Sequence, residues 1–257
     1  MAKQGIIHSE KAISGIRKAA QAAAFVREQL PQLVMPGMST KHIDDFAARL
    51  IAETGGKSAF LGYHGYPGQI CISVNEEVVH GIGCVTKFVN EGDIVSIDVG
   101  VNLGGYIGDN AKTFIVGNPN SASKRVHELL RVTEEATVIG CQAAYANKHI
   151  SDVSRAIEKC AISAKLGVVR EYVGHGCGAA LHEPPEVPNY TTGFKGAKLR
   201  PGMVLAVEPM FNLGTEKVYT EPDGWTVKTK DGKWSAHFEH MVLITENEPE
   251  ILTWLKM

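Results

Sequence analysis

The sequence has no marked excess of charge of either sign, no long apolar run and no paired-cysteine motif. Lys and Arg number 26 against 28 Asp and Glu, a formal net charge of −2. With no basic excess to neutralise phosphates, general nucleic-acid binding is disfavoured. Short basic stretches such as Lys124-Arg125 read as solvated helix faces. No apolar run approaches the ~20 residues of a membrane-spanning helix. Nor does the N-terminus show a basic segment followed by an apolar stretch and a small-residue cleavage site. The five cysteines, Cys71, Cys84, Cys141, Cys160 and Cys177, are odd in number, widely spaced and lack a C-x-x-C pair. They suit a reducing compartment rather than a disulfide framework. The expectation is a cytoplasmic chain with neither a membrane nor a nucleic-acid partner.

What is present is an ordinary globular composition, 44% hydrophobic and 21% charged over 257 residues, enough for a substantial core. Ser9 can cap a first helix with apolar positions at Ile13, Ile16, Ala20, Ala23 and Ala24, punctuated by Pro31 and Pro36-Gly37. Ser39 or Thr40 can start a second, carrying Ile43, Phe46, Ala47 and Leu50, which Gly55-Gly56 ends. A strand-like run lies near Ile70 to Val74. Residues 93 to 116 read as a β-hairpin turning at Asn102-Leu103-Gly104-Gly105. Two helices follow, about Ser121 to Ala146 and Ser151 to Leu166, then short strands ending in the apolar run Met241 to Ile244.

A weak internal repeat runs through this layout. Lys41-His42-Ile43 matches Lys148-His149-Ile150, and the segment Gly92 to Asp98 resembles Gly202 to Glu208: a glycine, an apolar strand, an acid. The offsets are 107 and 110 residues. They suggest a duplicated helix-helix-sheet unit, with halves of roughly 1–120 and 121–257 in one catalytic domain over 1–257 and the acids meeting between them.

If Leu103-Gly104 form the two-residue hairpin turn, Asp98 faces Asp109 directly, with β-carbons ~4.5–5.5 Å apart on one face. Two such carboxylates repel, and either a proton or a cation between them relieves the repulsion. Glu208 closes an apolar strand before Pro209, and Glu239 enters another at Phe238 to Ile244. Both are odd places for an unpaired charge. His175 lies between Gly174 and Gly176, where small neighbours leave room for a ligand. Four carboxylates and an imidazole suit Mn, Fe, Co or Zn. Taken singly, each of these residues also has a purely structural explanation.

The segments Tyr63-His64-Gly65-Tyr66-Pro67, Asn75 to Ile82, Gly92 to Asp98, Gly108-Asp109, Gly174-His175-Gly176-Cys177-Gly178, Val207-Glu208-Pro209-Met210 and Phe238-Glu239-His240 together resemble type I methionine aminopeptidases of the bacterial kind. The match is in order and covers nearly the whole chain. The resemblance implies the α+β pita-bread fold, two pseudo-symmetric halves around a dinuclear metal site, and excision of initiator methionine before a small second residue. It implies that Asp98 chelates one divalent ion, that His175 and Glu208 complete the other, and that Asp109 and Glu239 bridge them. It further implies that a hydroxide shared by the two ions attacks the scissile carbonyl, with Glu208 as the candidate general base and later proton donor. By the same resemblance His80 would contact the scissile amide or the leaving amine, and His182 would stabilise the tetrahedral intermediate. The family pattern also points to Tyr63, Tyr66, Cys71 and Trp225 as the methionine pocket, with His80 and His182 at the substrate.

The chain departs from familiar members at Phe60, where many have a small residue or cysteine, and at Leu181, where a bulky aromatic is common. Cys177 is read as a packing residue. Of His237 and His240, which flank Glu239, at least one should face away from the site. His8, His42, His127 and His149 are read as surface or capping residues. A monovalent cation beside Asn75 and Ser235, nascent chains near the ribosome as substrates and a monomeric state complete the expectations. Two rivals differ in kind: an X-Pro peptidase of the same fold, which usually carries a sizeable extra N-terminal domain, and a binding protein that has lost a ligand residue. Retention of all five ligands argues against the second. The 32 residues between His175 and Glu208 leave no room for the insert of type II members.

Overall fold

A computed structural model describes residues 5–255. Four α-helices cover α1 Glu10–Leu33, α2 Thr40–Glu53, α3 Lys124–Gln142 and α4 Ile150–Ala164. Serine hydroxyls cap the first three: Ser9 accepts from the Ala12 amide, Ser39 from His42 and Ser123 from Val126. At α4 the cap is His149, whose backbone amide donates to the Asp152 carboxylate at 2.9 Å. Pro31 does not end α1 as expected. It sits inside the last turn, and the helix stops at Leu33, just ahead of Pro36.

Among the described residues the strands form four sheets. In the first, the long strand Ile94–Leu103 pairs with Tyr106–Ile115 on one side and with Cys71–Val74 and Lys57–Ser58 on the other. A second, five-stranded sheet runs Glu250–Ile251, His240–Leu243, Val204–Val207, Gly174–Gly176, Glu183–Val187.

The hairpin register corrects the expected facing of Asp98 and Asp109. Asp98 pairs with Ala111, and Asp109 with Gly100. The turn falls at Gly104-Gly105, with φ of 62° and 84°, because a tight hairpin turn of this kind needs positive φ at both central residues and Leu103 would be strained there. The register moves by two residues, so both carboxylates stay on one face, as diagonal rather than direct neighbours.

Helix α1 lies on this hairpin through a face of buried alanines, Ala19, Ala20, Ala22, Ala23 and Ala24. The approach is close: a Cβ at Gly108 would stand 2.1 Å from the Ala19 carbonyl oxygen. Helix α1 also holds the far end of the chain. The Arg17 guanidinium donates to Glu250, Gln21 to the carbonyls of Leu252 and Trp254, and Arg27 to the carbonyl of Thr253.

The repeat is visible in the backbone. Thr40 N donates to Lys87 O, and Ile150 N to Ala197 O; Gly37 N donates to Val89 O, and Asn147 N to Leu199 O. Each member of the second pair lies 110 residues after its counterpart, as do the bridges Ser39 to Phe88 and His149 to Lys198. One apolar core joins α1 and α2 to the first sheet around Ile43, Ile72 and Ile97. Another joins α3 and α4 to the later strands around Leu129, Leu205 and Phe211. A third, with Ile16, Phe60, Tyr66, Cys71, Leu181 and Met241, draws on both ends of the chain.

Candidate metal centre

Between the halves lies a cavity of about 280 Å³ lined by Asp98, Asp109, His175, Glu208 and Glu239, and also by His80, His182, Tyr63, Tyr66, Cys71 and Trp225. Each element delivers its residue for a local reason. Asp98 and Asp109 come from one face of the hairpin. His175 sits mid-strand, where a Cβ at Gly174 would meet the Ala206 carbonyl oxygen at 2.3 Å, so only glycine lets the strands approach. Glu208 stands between the strands Val204–Val207 and Met210–Asn212, and Glu239 between Ser235–His237 and His240–Leu243. His80 adopts φ of 60°, a left-handed conformation that costs about 1 kcal/mol. It is held there because the Gly81 carbonyl accepts from Ile72 N at 2.8 Å and from the Tyr66 hydroxyl at 2.7 Å.

Donor atoms of Asp109, His175 and Glu239 all lie within 4.8 Å of one another. His175 Nε2 is 3.2 Å from Glu208 Oε1, and His237 Nε2 is 3.6 Å from the other Glu208 oxygen. Of the two histidines flanking Glu239, His237 therefore faces the cavity. His240 turns away, with Nδ1 at 3.2 Å from Arg27 and 2.8 Å from the Thr253 hydroxyl.

The electrostatics call for positive charge. Among the described residues no Lys or Arg lines the cavity. Asp98 Oδ1, Asp109 Oδ1 and Glu239 Oε1 are buried without a hydrogen-bond partner among the described residues. Burial pushes the Asp109 carboxyl well above its usual range, with Asp98 adding to it, and burial with Asp109 does the same to Glu239. Asp98 is raised to about 7. Burial would lower His175, but Glu208 and Asp109 outweigh it and lift the imidazole to about 9. Burial likewise pushes Glu208 up, yet His175 and His237 hold it at about 2. Unsatisfied buried oxygens around an imidazole are costly alone and well matched to divalent cations. The residues present fit such ions. Cys177, by contrast, is buried with its thiol raised by burial and by Asp109, so it stays protonated and packs.

Beside this cluster the Tyr66 and Trp225 rings meet edge-on at 5.1 Å, and His80 lies 6.4 Å from Trp225 and 5.3 Å from Tyr172. His182 packs edge-on against His175 at 4.2 Å, and its Nδ1 is 2.7 Å from the Tyr63 hydroxyl. Burial, then His175, lowers His182 to about 4. Phe60 and Leu181 contribute to the wall and keep it apolar. Tyr172, Val79, His64 and Met210 also line the cavity. Val173 does so too, and sequence reasoning gave none of these five a place in the site, although His64, Val79 and Met210 lie within the motifs that carry the resemblance and Tyr172-Val173 run directly into Gly174-His175. His8 corrects another expectation: it is 8% exposed, not at the surface.

The profile of metallopeptidase family M24 matches residues 14–246. The chain belongs to metallopeptidase family M24. Methionine aminopeptidase 1 of Bacillus subtilis is 48% identical over 238 residues, 93% of this chain and 94% of the relative. The crystal structure of a methionine aminopeptidase from Thermotoga maritima superposes with a TM-score of 0.93 at 42% identity, covering 98% of this chain and 99% of that one. The pita-bread architecture of this M24 chain is thus the expected one. A prolidase from Pyrococcus furiosus shares the fold, with a TM-score of 0.78 at 21% identity, and this chain covers 66% of it. Membership in family M24 implies divalent metal cofactors, and Asp109, His175 and Glu239 form a candidate donor group for them. Among the described residues no helix is long and apolar enough to cross a membrane.

Proposed function

We propose that this chain is a methionine aminopeptidase, one catalytic domain over residues 1–257 that removes the initiator methionine from nascent polypeptides with a small second residue. The observation that carries the reading is the convergence of Asp98, Asp109, His175, Glu208 and Glu239 on one cavity that has orphaned carboxylate oxygens and, among the described residues, no Lys or Arg in its wall. Relatives named as methionine aminopeptidases across nearly the full length support it.

In this reading Asp98, Asp109, His175, Glu208 and Glu239 would hold divalent ions, Mn, Fe, Co or Zn. Such ions supply Lewis acidity, polarising the scissile carbonyl and making water a nucleophile at neutral pH. The protein does the rest. Glu208 takes the proton of the attacking water and returns it to the leaving amine. His182 is neutral at physiological pH. A Tyr63 hydroxyl donating to its Nδ1 leaves the proton on Nε2, a donor for the charge that grows on the carbonyl oxygen. His80, desolvated and so lowered below its usual value, contacts the scissile amide. Tyr63, Tyr66, Cys71 and Trp225 receive the methionine side chain, an unbranched thioether that suits aromatic walls and a thiol.

A cytoplasmic monomer acting near the ribosome, with a monovalent cation beside Asn75 and Ser235, completes the proposal. The Ser235 amide donates to the Asn75 carbonyl at 2.9 Å, which brings these two residues together. The test is hydrolysis of Met-Ala-Ser against Met-Lys-Ser by chelator-stripped protein after adding back each metal. Cleavage of Met-Ala-Ser alone is expected. Equal cleavage of both, or preferred cleavage of X-Pro peptides, overturns the assignment.

A further inference from the structure

One buried pair beside the cavity has no part in the chemistry above. Residues 177–182 link the strands Gly174–Gly176 and Glu183–Val187 and end in His182. Their course is set by the residue that follows. Glu183 Oε1 accepts from the amides of Ala179 at 2.7 Å and Ala180 at 2.8 Å, folding the segment back on its own end. The other oxygen, Oε2, lies 3.1 Å from His8 Nε2, within ion-pair distance but outside hydrogen-bond geometry; both side chains are 3% exposed, and neither atom has another partner among the described residues. His8 arrives from the stretch before α1, pinned by its amide to the Gly202 carbonyl at 2.9 Å. The imidazole has space there because residue 178 is glycine. A Cβ at that position would stand 2.9 Å from Cε1 and from Nε2 of His8. The Gly178 carbonyl in turn accepts from Ile107 N at 2.8 Å, tying the segment to the hairpin that carries Asp109.

We propose that His8 and Glu183 are positioning residues that fix His182 against the reacting carbonyl, a role that rests on the aminopeptidase reading of the site. Neither touches substrate; both act through the segment that carries His182. Two amides on one carboxylate oxygen and a buried imidazole packed against the other restrict that segment. Tyr63 then orients the ring from the opposite side. Releasing either oxygen lets His182 drift by a fraction of an ångström. Drift of that size weakens transition-state contacts more than substrate binding.

The test compares kcat and KM for Met-Ala-Ser among metal-reconstituted wild type, His8→Leu, His8→Gln and Glu183→Gln, each with and without His182→Ala. His8→Leu and Glu183→Gln are expected to lower kcat about 10-fold and to leave KM within about twofold. Bound metal, measured by elemental analysis, stays at the wild-type level. His8→Gln, which keeps a donor amide, recovers most of the rate. In the His182→Ala background neither substitution adds more than about a twofold loss, because the group they position is gone. A loss of equal size with and without His182, or a loss of metal, makes the pair a general support and overturns the proposal. Should His8→Leu not fold, Glu183→Gln carries the comparison, since it keeps the acceptor for both amides. A wild-type protein that leaves Met-Ala-Ser intact overturns the functional reading itself, and this role with it, before any variant is compared.

Discussion

Asp98→Asn in metal-free protein removes one negative charge from the cavity with almost no change of shape. The Asp98 carboxyl stands at about 7 against an ordinary 3.8, because burial disfavours its charge and Glu208 adds to the effect while His237 only partly offsets it. The folded value lies above the unfolded one. The favourable contribution is therefore full below pH 4 and is lost as pH rises through 7. At pH 8 the folded protein must hold the group ionised, a penalty with an upper bound on the order of 4 kcal/mol. Asparagine does not titrate. It is expected to stabilise the stripped protein at pH 8 by about 2–4 kcal/mol, which is ~4–10 °C in Tm for a chain of this size. At pH 4 the gain disappears. With Mn or Co present the order is expected to invert, because in the proposed site Asp98 is one of the ligands and the variant lacks it. Differential scanning calorimetry of chelator-dialysed protein at both pH values measures this. A variant that melts at or below the wild type at pH 8 without metal, or that gains equally at pH 4, refutes the account of the cavity as a cluster of buried, mutually repelling carboxylates.

Other predictions follow from the same structure. Asp109→Asn, at the centre of the donor cluster, should abolish peptide hydrolysis and lower bound metal in elemental analysis; full activity would remove it from the site. Gly108→Ala forces a methyl into the backbone of α1 at Ala19 and should cost at least about 3 kcal/mol in urea unfolding. His240 is lowered to about 3, chiefly by burial and then by Arg27 and Lys112. Its contribution is present above pH 6.5 and is lost as pH falls toward 3. At pH 5 the wild type should thus have lost about 2 kcal/mol relative to His240→Gln. This slope is opposite in sign to that of Asp98, so melting curves of the two variants separate them.

The helices were legible because their signals are local. Ser9 and Ser39 cap where the hydroxyl-bearing residue precedes an apolar period, and the apolar stripes of α1 and α2 are the ones buried, whereas the third helix starts at Lys124 behind Ser123 rather than at about Ser121. The acids that line the cavity were legible for a different reason: an acid inside an apolar strand is costly, so Asp98, Glu208 and Glu239 stood out against their neighbours. The hairpin register was not, because Leu103-Gly104 and Gly104-Gly105 both offer a two-residue turn. The preference for two positive φ values decides only once the backbone is in view. His8 was misread for a deeper reason. Its partner Glu183 is 175 positions away along the chain, and no local pattern reports a contact made by closure of the fold. The same holds for Tyr172 and Met210, whose place in the cavity wall depends on how the two halves meet.

The clasp of α1 on residues 250 to 254 sets an order of events during synthesis. Asp98 and Asp109 leave the ribosome about a hundred residues before Glu208 and Glu239, and the anchor for the strand that follows Glu239 comes last of all. A partly made chain thus has a pair of acids with neither their imidazole nor their partners. Arg17, Gln21 and Arg27 tie residues 250 to 254 to the first helix, so a truncated copy lacking those positions is expected to lose the support of the strand His240–Leu243 and to bind less metal in elemental analysis.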